Sequence, residues 1–192
     1  IQYTTEQHII YVMEKFQMDL DAYIKQIHSN VMDTNTYNKI SDTLAFQTNK
    51  ILKIMASRDL VCIDIKPLNV VLNVENELPD IRFIDVDADW CSKKDKLTVG
   101  INSLLKIMGY TQQDRLDLIY KIMLVLFANH LQELSFNYMH QIVESNVKEH
   151  DTKIIIEAIN QSLELQMIFK HYFKSDLSPG KIGQIVQNAK SP

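Results

Sequence analysis

Four polar side chains of complementary chemistry stand close together in the sequence. Asp64, Lys66 and Asn69 lie in the segment Asp64-Ile65-Lys66-Pro67-Leu68-Asn69, and Asp85 follows in Phe83-Ile84-Asp85-Val86-Asp87. A carboxylate accepts protons or hard cations, an ammonium offsets negative charge, and an amide oxygen is a neutral ligand. Taken singly, each has an ordinary explanation. Aspartate beside a strand end commonly forms a turn, a lone Lys is commonly a solvated cation, and Asn commonly caps a turn. The joint spacing is far more specific than any one of them.

The surrounding pattern says what must hold these groups. Residues 60–73 form two short apolar runs around a polar knot, and Pro67 disrupts a regular helix or central strand there. Residues 70–74 read as a strand, 75–80 as a turn and 81–86 as the partner strand, a hairpin that brings Asn69 towards Asp85. Upstream, Tyr37, Ile40, Leu44, Ile51 and Met55 recur with helical spacing, which predicts an amphipathic helix ending near Ala56 and capped by Asp33 or Thr34. Residues 8–16 read as a strand, and 17–27 as a short helix with Leu20, Tyr23, Ile24 and Ile27 on one side. Downstream, 91–100 reads as a polar loop, 101–108 as a short helix, and 114–127 as a strong helix, apolar on both faces from Ile119 and so expected in the core. Further helical patterns cover 131–147, 151–167 and 180–188, the last set off by Ser178-Pro179-Gly180. The expectation is a mainly α domain with one small β-hairpin and no internal repeat.

Composition bounds the function. A chain of 192 residues with 46% apolar and 23% charged residues reads as one soluble, globular domain. The formal charge of -4, with both signs mixed, gives no electrostatic reason to expect nucleic acid as a partner. Cys62 and Cys91 form neither a metal-ligand spacing nor a disulfide framework, which fits a reducing, cytoplasmic setting. The longest apolar run, residues 122–128, is too short to span a membrane. The first residues carry no signal-peptide pattern, and the chain is expected to begin inside a longer protein. The apolar strand at 8–13 has few sheet neighbours nearby in sequence, a second hint of a missing partner lobe.

The two polar segments resemble the catalytic loop and metal-binding loop of protein kinases. The family patterns are H-R-D-x-K-P-x-N and, after the next strand, D-F-G; here they read Cys62-Ile63-Asp64-Ile65-Lys66-Pro67-Leu68-Asn69 and Asp85-Val86-Asp87. The long helix before the loop matches too, as does the strand and linker at 13–24. Arg58-Asp59 imitates the end of the first triplet but lacks Lys, Pro and Asn at the right offsets, so Asp64 is the better match. The resemblance implies a protein kinase-like C-terminal lobe: residues 1–16 as the last N-lobe strand and hinge, and 17–192 as the C-lobe.

By that resemblance, Asp64 would accept or orient the proton of an attacking hydroxyl. Lys66 would offset charge on the transferred phosphate, and Asn69 and Asp85 would hold Mg²⁺ against ATP. Glu14 and Phe16, in the linker at 14–18, would meet the adenine ring. Asp117, in preference to Asp114, would tie the strong helix to the catalytic-loop backbone. The implied activity is ATP- and Mg²⁺-dependent transfer to a Ser or Thr hydroxyl of a protein substrate, completed by a missing N-terminal lobe or a partner chain, with neither nucleic acid nor membrane involved. Several departures favour an alternative, a pseudokinase serving as an interaction or regulatory module. Cys62 and Ile63 replace His and Arg, Asp87 replaces Gly, and no A-P-E sequence closes the activation segment. No Gly-rich phosphate loop is present either, which points to the missing N-terminal lobe. Asp87 and Asp89 either assist an ion or face water, and the second is the commoner case. A third class, small-molecule kinases of the same broad fold, commonly lacks the Lys66-Pro67 pair.

Overall fold

The computed structural model describes residues 2–4, 9–11, 14–60, 62, 64–85, 105–106, 108–161, 163, 166–167, 170 and 179–192. Among these, six α-helices and a small three-stranded antiparallel sheet account for most of the chain. The first helix, α1 (Leu20–Ser29), begins where Asp19 accepts a hydrogen bond from the Ala22 amide, and it buries Leu20, Tyr23, Ile24 and Ile27 as expected. Asp33, rather than Thr34, caps α2 (Thr34–Ser57), accepting from the amides of Asn35 and Thr36. The buried stripe of α2 is Ile40, Leu44, Thr48, Leu52, Met55 and Ala56. Tyr37 and Ile51, also expected on that face, lie at its edge: Tyr37 is partly exposed, packed edge-to-face on Phe136, and Ile51 is half-buried.

Two strand expectations change. The apolar strand at 8–16 is short among the described residues, β2 (Ile9–Tyr11), and it pairs antiparallel with β1 (Gln2–Thr4). It therefore has one sheet neighbour nearby in sequence, β1. Glu14 to Phe16 are coil. In the second sheet β3 (Met18–Asp19) pairs with β4 (Val70–Glu75), and β4 with β5 (Leu78–Phe83). The turn between β4 and β5 is only Asn76–Glu77, both at positive φ (49° and 68°), so both strands run closer to it than the polar composition of 75–80 predicts. β5 also stops at Phe83, leaving Ile84 and Asp85 beyond the ladder.

Glutamine side chains add hydrogen bonds along β5, an outer strand, and along the part of β4 that the short β3 leaves uncovered. Gln47 of α2 donates to the Pro79 carbonyl (2.8 Å) and accepts from the Ile81 amide (2.9 Å), so it stands in for a fourth strand along β5. Pro79 is tolerated because its missing N–H faces that same edge, where no ladder bond is lost. On the other side Gln17 accepts from the Val74 amide (2.8 Å) while its own amide donates to Leu72.

The strong helix is α3 (Gln112–Glu133), longer at both ends than its apolar run. Thr111 and Asp114 form a reciprocal capping box at its start. It is buried on all sides from Leu118 through Leu131, apart from the partly exposed Lys121 and His130, and packs against α2 and the C-terminal helices. The helical pattern expected over 131–147 is broken. Ser135 takes φ 55°, the Ser135 amide donates to Gln132 and the Phe136 amide to Leu131, and a new helix, α4 (His140–Asn146), follows. The sequence α5 (Glu149–Gln161) and α6 (Pro179–Lys190) completes the bundle. Of the short helix expected at 101–108, only Leu105 and Lys106 are described as helical, and they stop at Gly109, whose φ of 75° suits a residue without Cβ. Asp87, Asp89, Cys91 and the loop at 91–100 lie outside the described residues. No helix among the described residues is long and apolar enough to cross a membrane.

Candidate functional site

The site lies in the segment between α2 and β4, where its turn packs against α1, β3 and α3. Pro67 opens a single 3-10 turn, Pro67–Asn69, closed when the Asn69 amide donates to Lys66 O (2.9 Å). That turn tucks Asn69 inward until it is 7% exposed. The Asn69 Nδ2 then donates to both Asp64 O and Asp64 Oδ2, each at 2.9 Å. Lys66 folds back over the same carboxylate, its Nζ at 3.0 Å from Oδ1 and 2.9 Å from Oδ2. Three of the four expected residues thus form one hydrogen-bonded unit. The Asp64 side chain keeps 24% of its exposure and Lys66 34%, so the pair is reachable from solvent.

Asp85 joins through the hairpin register. Val70 is paired with Phe83, and beyond them the Ile84 amide donates to Asn69 O (2.9 Å). Asp85 is therefore the next residue past the strand end that holds Asn69. It is exposed and adopts φ 53°, a left-handed conformation that Asp tolerates better than most residues. Glu14 and Phe16 stand elsewhere, in the coil before β3. Asp19 is opposite Val71 and Met18 opposite Leu72, so stepping back towards Phe16 leads along β4 away from Asn69. Phe16 is half-buried and Glu14 exposed, and the charge of Glu14 is felt at Arg82 of β5.

Donor chemistry here fits a hard cation. Both Asn69 bonds to Asp64 use Nδ2, which leaves Oδ1 as the amide's ligand-capable end, and Asp85 adds an exposed carboxylate. Among the described residues no three His, Cys, Asp or Glu side chains gather into a metal cluster.

Two neighbours of the site went unrecognised in the sequence. His130, in the last turn of α3, lies within electrostatic range of Asp64 and Lys66. Burial pushes its pKa down; Glu133, 3.7 Å away, and Asp64 pull it back up, Lys66 pushes it further down, and the net shift is downward. The other is Arg115, whose Nη1 lies 2.6 Å from Asp59 Oδ1 with only 7% of its side chain exposed. This corrects the expectation for Asp117. Asp117 pairs with Lys121 on its own helix (2.5 Å), and Asp114 is occupied by the Thr111 cap. Among the described residues an arginine ties α3 to the start of the loop, and its acceptor is Asp59. Lys121 is held between Asp117 and Asp151; burial works against its ammonium, but the two carboxylates outweigh that and raise its pKa.

No family model matches this chain, and no curated protein or solved structure does.

Proposed function

We propose that this chain is the hydroxyl- and metal-binding half of a phosphoryl-transfer site of the protein kinase kind, acting on Ser or Thr hydroxyls of a protein. The observation that carries the reading is the Asp64–Lys66–Asn69 unit with Asp85 held beside it by the hairpin register. When bound, Mg-ATP would supply the phosphoryl group and the cation that neutralises its oxygens. Asn69 Oδ1 and the Asp85 carboxylate would hold that cation. Asp64 is the group that accepts or orients the hydroxyl proton, and its geometry is fixed by Asn69 beneath it. Lys66 spans both Asp64 oxygens and can swing to offset charge on the incoming phosphate. Glu14 and Phe16 remain the proposed adenine contacts, and the groups that cover the nucleotide come from another segment or another chain. A cytoplasmic setting, where ATP is plentiful, belongs to the same proposal.

A second reading, a pseudokinase that keeps the fold as an interaction module, is favoured by one feature. Both Asp64 oxygens are engaged by Lys66 and Asn69, so its capacity to accept a proton is already partly used. Phosphate transfer by the full-length protein, assayed across a Mg²⁺ titration, separates the two. Active transfer should show an Asp85→Asn variant that needs much more Mg²⁺ and turns over at least about a hundredfold more slowly. Absence of transfer at any Mg²⁺ concentration, with the fold intact, supports the interaction module.

A further inference from the structure

α2 ends in a motif whose usual residue has been replaced. Arg58 is the C-cap, the Asp59 amide donates to Ala56 O and the Leu60 amide to Met55 O, both at 2.9 Å. This bond pair is the Schellman stop, in which the residue after the cap is left-handed and most often Gly. Asp59 fills that position with φ 57°. The short helical stretch before Gly109 stops the same way and does use Gly, with the Tyr110 amide donating to Leu105 O and the Gly109 amide to Lys106 O. Asp59 thus occupies a backbone position that suits Gly better, and its side chain is what Gly lacks: the acceptor for a buried Arg115 guanidinium on α3.

We propose that Asp59 and Arg115 are a positioning pair for Asp64. The proposal rests on the reading of Asp64 as the proton-handling residue. The chain leaving Asp59 reaches Asp64 five residues on, and the far end of that stretch is already fixed by the Pro67–Asn69 turn and the Asn69 bonds to Asp64. With Asp59 pinned to α3 the loop is held at both ends. α3 is the most deeply buried helix in the bundle, so the loop is referenced to the core and not merely to the end of α2. Neither Asp59 nor Arg115 needs to touch a substrate for this role.

The discriminating variant is the double substitution Asp59→Gly with Arg115→Met in the full-length protein. It keeps the left-handed stop and removes both charges of the pair together. The protein should melt no lower than wild type. Its kcat for phosphate transfer should fall about tenfold with KM for ATP unchanged, because a loosened loop misplaces Asp64 without altering nucleotide contacts. Amide hydrogen exchange at Ile65, Lys66, Leu68 and Asn69 should also speed up. A wild-type kcat in the double variant overturns the proposal. If the wild-type protein transfers no phosphate, the phosphoryl-transfer reading fails separately, and exchange alone decides the pair: faster exchange supports it and unchanged exchange overturns it.

Discussion

Asn69 does two jobs with one amide. It satisfies the Asp64 carbonyl and aims its carboxylate, both from a position that is almost fully buried. Asn69→Ala removes both bonds and leaves the Asp64 carbonyl without this donor, and should lower stability by about 1–3 kcal/mol in denaturant unfolding. His130 gives the site a pH signature. Its folded pKa lies below the ordinary value of 6.5, so the unfolded chain takes up protons first. The stability it contributes is complete above pH 6.5 and is lost as pH falls from there towards the folded value. In urea titrations at pH 7.5 and pH 5.5, His130→Gln should lose less stability between the two than wild type does. Asp64, Lys66 and Asn69 were legible in the sequence because their contacts span five residues or fewer. Arg115 and Asp59 are 56 residues apart, and nothing in a linear pattern joins them.

At the scale of elements, the helices followed their apolar periods and the errors collected at their ends. α1 and the body of α2 were readable because one face alone is buried. The break between α3 and α4 was not, because Ser135 rather than Gly or Pro makes the left-handed stop, and the apolar pattern continues across it. The β4–β5 turn was over-extended for a related reason: Glu77 is not a residue that announces φ 68°. Glu77→Gly should therefore raise stability, by about 1 kcal/mol, since Gly takes that conformation without the Cβ clash. A lower melting temperature for Glu77→Gly would mean that the Glu side chain contributes more than the backbone strain costs.

Across the whole molecule, the hairpin and the bundle are joined through aromatic packing. Phe83 at the end of β5 lies against Phe127 of α3, ring centroids 5.6 Å apart, and Phe127 is fully buried. Phe127→Ala should cost about 3–5 kcal/mol in cooperative unfolding. It should also loosen the Ile84–Asp85 segment, since Phe83 precedes it directly. That α3 lies in the core was legible from its two apolar faces, whereas its role as the anchor for the loop depends on a tertiary pair. The central claim is that Asp64 handles the hydroxyl proton. It is tested most directly by comparing phosphate transfer from Mg-ATP in full-length wild type and Asp64→Asn, with circular dichroism confirming equal folding. The account predicts a loss of about a hundredfold or more in kcat, with the fold unchanged. An Asp64→Asn protein that transfers phosphate at the wild-type rate would contradict it.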